Sequence, residues 1–441
     1  MAFTSTTALL TDHYELTMVR AAMGSGAAWR RSVFEMFARR LPQGRRYGVV
    51  AGVGRALDAI EAFRFDPATI DFLLDTKVIN DELATWLADY RFTGDIWGYQ
   101  EGEVYFPESP ILIVEGGFAE TVILETLLLS IYNYDSAVAS AASRMVTAAA
   151  GRRCIEMGSR RANEQAAVAA ARAAYIAGFD ATSNLEAGRR HGVPTAGTAA
   201  HSFTLLHDTE DDAFEAQLAA FGHDTTLLVD TYDVTRAVRA GVRLTEGRLG
   251  AVRIDSGDLA EQATAVRVLL DSLGATSTRI VVTSDLDEFQ IAALRSAPVD
   301  AYGVGTSLVT GSGAPTCGMV YKLVARAQDD SPDSPLVAVA KLSQDKKSVG
   351  GRKYALRRLT EGVAESEVIG IGTPPENDGD DRELLVPLMV GGEAVARTTL
   401  EDARARHRAA VAELPLAARK MSRGEPVIPT LVLSPPTGAK M

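Results

Sequence analysis

The sequence predicts an α/β protein built on parallel strands, and two observations carry that prediction. Short apolar, β-branched runs ending in polar, small or charged residues recur along the middle of the chain, with stretches of helical period between them. The chemistry-bearing residues fall at the C-terminal ends of those runs, where the βα-loops of a parallel barrel converge on one face.

In chain order, residues 154–160 and 179–184 are the first two strand candidates, separated by an Ala-rich helix over 162–176. Residues 194–204 read Pro-Thr-Ala-Gly-Thr-Ala-Ala-His-Ser-Phe-Thr, a strand-like approach to a lone His201 among small residues. Small neighbours leave room for a ligand on both sides of the ring, and an imidazole is a nucleophile or base near neutral pH. Taken alone, this segment is equally a satisfied histidine at a strand end. Residues 225–233, 249–258, 279–285 and 300–307 complete seven candidates, with helices expected over 259–273 and 286–296.

Arg253 sits between Val252 and Ile254 on one of these strands, so its side chain must reach the barrel mouth or find an acidic partner. Asp255-Ser-Gly-Asp258 sets two carboxylates around a hydroxyl and a flexible glycine, suited to sugar hydroxyls or a magnesium-bound polyphosphate; it is equally an ordinary turn. Gly303-Val-Gly305-Thr-Ser307 can offer backbone N–H groups and hydroxyls to a phosphate. It is no Walker loop, since no Gly-Lys-Ser/Thr occurs in the chain. Neither Gly52-Val-Gly54 nor Gly303-Val-Gly305 has the third glycine of a dinucleotide fingerprint.

Outside this region, strand-like pieces (45–50, 94–104 and 111–114) mix with helices, and 121–144 reads as a long buried helix or helix pair. The residues at 328–335 form a polar, Asp-, Pro- and Ser-rich interruption, and the Arg- and Ala-rich helix expected over 400–414 reads as a solvated face. The division expected is an N-terminal α+β domain over 1–140, a barrel over 141–325 that carries the active site, and a segment over 326–441 that completes the N-terminal domain and covers the barrel.

Composition fits a large soluble enzyme: 441 residues, 46% hydrophobic and 23% charged. A formal charge of −12 argues against nucleic acid, whose bulk binding is carried by Lys and Arg. Anionic substrates fit only where basic residues are local, as with Arg160, Arg161, Arg253 and Lys322. The longest apolar stretch, 121–132, is interrupted by Glu125 and too short to span a bilayer, and the first ten residues lack a signal-peptide pattern. Cys154 and Cys317 suggest neither a disulfide framework nor a zinc site, so a cytoplasmic location is expected.

Thr11-Asp-His-Tyr-Glu-Leu-Thr-Met18, Phe34-Glu-Met-Phe37, Glu115-Gly-Gly117 with Glu125-Thr126 and Asn133-Tyr134, Gly197-Thr-Ala-Ala-His-Ser202, Arg253-Ile-Asp-Ser-Gly-Asp258, Thr283-Ser-Asp285 and Tyr302-Gly-Val-Gly-Thr-Ser307 follow one another along the chain. Together they resemble the nicotinate phosphoribosyltransferases. The resemblance implies a type II phosphoribosyltransferase fold: an irregular TIM-like α/β barrel, joined to a second α+β domain formed by the N-terminal region and part of the C-terminal chain. It implies formation of nicotinate mononucleotide and pyrophosphate from nicotinate and phosphoribosyl pyrophosphate. ATP hydrolysis would be coupled through a phosphohistidine at His201, with Mg2+ carried in by ATP and phosphoribosyl pyrophosphate and no metal site of the protein's own.

It further implies that Arg253, Tyr14, Arg160 and Ser183 meet nicotinate, with Tyr14 entering from the partner subunit of a homodimer. Asp255, Ser256, Gly257 and Asp258 would face the ribose, Ser284, Asp285, Gly305 and Thr306 the 5′-phosphate, and Arg160 with Arg161 the pyrophosphate. His201, Arg253 and Asp255 are the catalytic candidates. Met157 stands where relatives often have Phe, which puts a thioether beside the pyridine ring, and the loop over 346–353 has Gly350 where a proline is common. Nicotinamide-using relatives have an aspartate where Ser183 stands, so the resemblance implies preference for the acid. The alternatives are a nicotinamide or quinolinate phosphoribosyltransferase and a non-catalytic phosphoribosyl-binding regulator. An aldolase-type barrel is disfavoured because no lysine ends a barrel strand.

Overall fold

The computed structural model describes residues 6–42, 44–331, 333–341, 349–395 and 397–433, so the 346–353 loop lies partly outside the described residues. The chain divides into two compact units, Val138–Pro315 and the remainder, Met1–Ala137 with Thr316–Met441.

Val138–Pro315 is built on six strands: β1 (Arg153–Glu156), β2 (Ala181–Thr182), β3 (Thr226–Leu228), β4 (Ala251–Ile254), β5 (Arg279–Val282) and β6 (Ala301–Val304). They hydrogen-bond in the order β2-β1-β6-β5-β4-β3, all parallel, in one curled sheet. Parallel neighbours require helical crossovers, and the sequence supplies each with an N-terminal cap. Asn163 accepts from Gln165 N ahead of helix Glu164–Ile176, Asp233 from Arg236 N ahead of Val234–Leu244, and Asp258 from Ala260 N and Glu261 N ahead of Leu259–Ser272. Ile280, Val282, Val252, Ile254 and Leu227 are buried, and these β-branched and apolar residues read as strand because both faces of the sheet are covered.

One expected strand is absent. The approach to His201 forms only an isolated bridge, Thr182 to Thr195, after which residues 196–200 take no regular structure and His201 opens the short helix His201–Leu206. Pro194 contributes only its carbonyl, accepting from Thr182 N, and Gly197, Ala199 and Ala200 have no branched side chains to pack on a pleated surface.

In the other unit a seven-stranded antiparallel sheet runs Leu336–Ala338, Met319–Ala327, Arg31–Ala38, Leu112–Gly117, Asp95–Gly98, Val386–Val390 and Glu393–Ala394. Its third strand, Arg31–Ala38, is buried from Ser32 onward; Phe34 stacks on Tyr321 at 4.8 Å, and buried Glu35 pairs with Lys353. Two of the sequence motifs meet here: Glu15 accepts from Thr126 N at 2.9 Å and Thr126 Oγ1 at 2.6 Å at the start of the long helix Glu125–Ala149. Burial lifts the Glu15 carboxyl to about 7. A four-stranded sheet (Arg382–Glu383, Lys353–Thr360, Val363–Ile371, Thr430–Val432) encloses Arg357, fully buried between Glu103 and Glu367.

The helix Leu400–Ala412 is not a wholly solvated face. Ala403, His407 and Ala410 recur at spacings of four and three on one side and are buried. His407 Nδ1 lies 3.3 Å from Gly102 O, and burial holds its pKa down at about 4 from 6.5. The unfolded chain therefore binds the proton first. The stability from keeping His407 neutral is complete above pH about 6.5 and is lost as the pH falls through about 4, at most about 3 kcal/mol. Denaturation of His407→Gln between pH 7 and 4 should show a shallower loss of unfolding free energy than the parent; superimposable profiles would assign the acid sensitivity to another group.

Candidate active site

The C-terminal ends of β1, β4, β5 and β6 enclose a cavity of about 230 Å3 within the parallel unit. Met157, Arg160 and Arg161 reach it from beyond β1, Arg253 and Asp255 from β4, Thr283, Ser284 and Asp285 from beyond β5, and Gly303, Gly305 and Thr306 from β6. The space depends on a missing side chain: a Cβ on Gly303 would stand 2.5 Å from Thr283 Cγ2 and 2.7 Å from Met157 Sδ. Ser284 has φ 135°, a backbone conformation that side-chain-bearing residues rarely adopt and that strand-end loops hold at functional sites.

Arg253 and Asp255 organise this wall. Arg253 Nε donates to Thr283 Oγ1 at 2.9 Å and Nη1 to Thr198 Oγ1 at 2.8 Å, while Nη2 lies 3.3 Å from Asp255 Oδ1. The Thr283 hydroxyl in turn donates to the same Asp255 oxygen. Asp255 N donates to Asp230 Oδ2 at 2.9 Å, and Ser256 Oγ donates to that oxygen at 2.7 Å. The second Asp255 oxygen faces His201, whose Nε2 is 4.0 Å away; His201 Nδ1 is 3.1 Å from Thr231 Oγ1. Arg253 thus satisfies both readings of a strand arginine, facing the cavity and pairing with an acid.

Beneath Met157 and Gly158 lies Glu156, fully buried, its carboxylate accepting from Gly158 N and from the Thr182 hydroxyl. Burial raises its pKa, which the two hydrogen bonds only partly offset. The same carboxylate joins the β1 loop to the end of β2, where Ser183 N donates to Glu156 O at 2.8 Å and Asn184 Nδ2 to Ser159 Oγ at 2.9 Å. Arg160 and Arg161 are exposed on the one-turn helix Ser159–Arg161, and their side chains have no hydrogen-bond or ionic partner among the described residues.

Of the residues singled out from sequence, Arg160, Arg253, Asp255, Ser284, Asp285, Gly305 and Thr306 line the cavity together. Ser256 is turned to Asp230, Asp258 caps the next helix, and Gly257 carries the intervening turn at φ +79°. Ser183 is exposed at the end of β2 and does not line the cavity. Tyr14 belongs to the other unit, on helix His13–Gly24, where burial first and the nearby Glu125 second push its hydroxyl up to about 12, so it remains a neutral phenol. Sequence reasoning missed Asp230, Thr231 and Thr198 as parts of the site. The signal for Asp230 was positional: it follows the apolar run of β3 as Asp255 follows that of β4.

Residues 9–133 match the nicotinate phosphoribosyltransferase (NAPRTase) N-terminal domain family. The chain is 56% identical over 432 residues to nicotinate phosphoribosyltransferase pncB1 of Mycobacterium tuberculosis, covering 96% of this chain and 94% of that protein. The chain belongs to the nicotinate phosphoribosyltransferase family. The Bacillus subtilis nicotinate phosphoribosyltransferase is 35% identical over 387 residues, covering 85% of this chain and 78% of the relative. The crystal structure of human nicotinic acid phosphoribosyltransferase superposes with a TM-score of 0.81 at 25% identity, over 96% of this chain and 98% of the human one.

Within this family the bridging hydroxyl of Thr283 is a direct test of the wall. Thr283→Val keeps the volume and removes the group that ties Arg253 to Asp255. Hydrogen bonds to charged groups contribute about 1.5–3 kcal/mol, so kcat/KM in a nicotinate phosphoribosyltransferase assay should fall roughly 10–100-fold, with little change in melting temperature. Parental kcat/KM in a folded variant would mean that the salt bridge alone orients Arg253.

Proposed function

We propose that this chain forms nicotinate mononucleotide and pyrophosphate from nicotinate and phosphoribosyl pyrophosphate in NAD salvage, with ATP hydrolysis coupled through a phosphohistidine at His201. The observation that carries the reading is the fixed pair Arg253 and Asp255 on one cavity wall, 3.3 Å apart, one a cation for a pyridine carboxylate and the other an anion for positive charge developing on a ribose.

Breaking the C1–O bond to pyrophosphate leaves cationic character on the sugar and several negative charges on the leaving group, so catalysis needs preorganised charges of both signs. Asp255 is held for the first by Thr283, Arg253 and Asp230. Arg160 and Arg161, whose guanidinium groups have no partner among the described residues, are disposed for the second. Mg2+ enters as part of the polyphosphate substrates and neutralises their charge. Ser256, Gly257 and Asp258 complete the ribose side, and Ser284, Asp285, Gly305 and Thr306 take the 5′-phosphate.

Arg253 and Arg160 receive the nicotinate carboxylate, with Tyr14 supplied by a partner subunit in a homodimer that shares its active sites. Ser183 lies beside the ring substituent; the parallel pairing of Glu156 with Thr182 supports this, because it sets the ends of β1 and β2 side by side. The parallel sheet is the core of an irregular TIM-like barrel. The N-terminal region and the C-terminal chain form the second α+β domain, a division supported by their grouping in one compact unit. Among the described residues no helix is long and apolar enough to cross a membrane, in keeping with work in the cytoplasm.

The deciding assay is nucleotide formation from nicotinate and phosphoribosyl pyrophosphate with and without ATP. His201→Ala should abolish ATP hydrolysis and the gain from ATP while retaining slow turnover by the remaining pocket. Full ATP-coupled activity in that variant would remove His201 from the mechanism.

The acid is favoured over the amide by charge. An aspartate at position 183 would repel a carboxylate by on the order of 4 kcal/mol at about 4 Å and an effective dielectric near 20, a figure that solvent at this exposed position reduces. Ser183→Asp should therefore lower kcat/KM for nicotinate at least about tenfold more than for nicotinamide. An unaltered substrate ratio would show that Ser183 does not face the ring substituent.

A further inference from the structure

Two consecutive residues beyond β3 address Asp255 and His201 in turn. Asp230 takes the backbone N–H of Asp255, at 2.9 Å, and the Ser256 hydroxyl, at 2.7 Å, so it fixes the loop that presents the Asp255 carboxylate. Its neighbour Thr231 places Oγ1 3.1 Å from His201 Nδ1. The imidazole is otherwise open on its far edge, with a side chain 42% exposed and Nε2 4.0 Å from Asp255 Oδ2. Position 201 starts a helix of only six residues that follows an irregular stretch, so little else in the local backbone restrains the ring.

We infer that Thr231 is the positioning residue for phosphorylation of His201: its Oγ1 accepts the Nδ1–H, which fixes the ring and leaves the Nε2 lone pair as the phosphoryl acceptor. The inference rests on the phosphohistidine reading above. A neutral imidazole carries one ring proton, and a hydrogen-bond acceptor at Nδ1 holds it there. Nε2 then attacks the γ-phosphorus of ATP, the Nε2–P bond forms, the bond from that phosphorus to the bridging oxygen breaks, and ADP leaves with the electron pair. The ring keeps its Nδ1 proton and takes up the positive charge of a phosphorylated imidazole, which strengthens the hydrogen bond to the threonine oxygen. Without that oxygen the ring can turn, and its proton can occupy the attacking nitrogen.

The test uses the full-length protein and [γ-32P]ATP, with acid-labile label on the protein followed in a single turnover, and 31P NMR of 15N-histidine-labelled phosphoprotein to identify the bonded nitrogen. Thr231→Val, which replaces the hydroxyl by a methyl of similar size, should slow labelling roughly 10–100-fold, the range expected when a reacting group is misplaced. Thr231→Ser, which restores the hydroxyl, should label within about threefold of the parent, and the parent should carry its phosphoryl group on Nε2. Thr231→Ala supplies the same comparison if the valine variant does not fold. Labelling of the valine or alanine variant at the parental rate, a serine variant as slow as valine, or a phosphoryl group on Nδ1 of the parent would each overturn the role of Thr231 while leaving the phosphohistidine in place. A parent that takes no label would overturn both.

Discussion

The carboxylate of Asp255 is the constraint on which the site depends. One of its oxygens accepts from Thr283 and faces Arg253, and its backbone N–H is held by Asp230, so the strand ends of β3, β4 and β5 are joined through a single residue. This allocation leaves the second oxygen directed at His201. A carboxylate has about four lone-pair sites, and here the contacts to Thr283 and Arg253 fall on one oxygen while the other stands 4.0 Å from His201 Nε2. Arg253 is restrained from the same side by Thr283 and from the other by Thr198, which turns a flexible side chain into a guanidinium of defined direction before any ligand arrives.

The acidic residues beyond the strands divide between two tasks by position. Asp230, Asp255 and Asp285 come first after their strands; Asp255 and Asp285 line the cavity, and Asp230 supports Asp255. Asp233, Asp258 and Asp287 follow two or three residues later, and each accepts from backbone N–H groups at the start of the next helix. The arrangement follows from βα geometry: the loop must leave the sheet, where an acid can face the ligand, and then begin a helix whose first N–H groups need an acceptor. In Asp255-x-x-Asp258 the first acid therefore lines the cavity and the second caps the next helix.

Much of the parallel unit was legible because its signals are local: apolar runs with polar ends, followed by Asn caps after β1 and β2 and Asp caps after β3, β4 and β5. The seven motifs likewise pointed to the family later shown by the relatives. The approach to His201 misled for a local reason, since the sequence between Pro194 and His201 is too small and too poor in branched residues to hold a ladder. The helix over 400–412 misled because alanine is ambiguous: Ala403 and Ala410 are buried, yet in sequence they match the exposed face of an Arg-rich helix. Thr231 and Thr198 were invisible as site residues because threonine has no distinctive chemistry until a hydroxyl is placed beside a histidine or an arginine. The antiparallel sheet was hardest to read, since Arg31–Ala38 pairs with Met319–Ala327 nearly three hundred residues later and no periodicity reports a partner at that separation.

Charge acts on this protein at two ranges. The chain carries −12 overall, while the cavity sets three guanidiniums, Arg160, Arg161 and Arg253, against two carboxylates, Asp255 and Asp285. Fields from exposed charges farther off are screened within about 8 Å at physiological ionic strength, so they do little to a polyanion already at the mouth. What that polyanion meets is the local excess of arginine, two of whose guanidinium groups have no partner among the described residues. The net charge therefore bears on solubility and on which macromolecules stay away, whereas selection of an anionic substrate is made at contact distance. That separation lets a protein with a net charge of −12 keep an excess of arginine in its cavity.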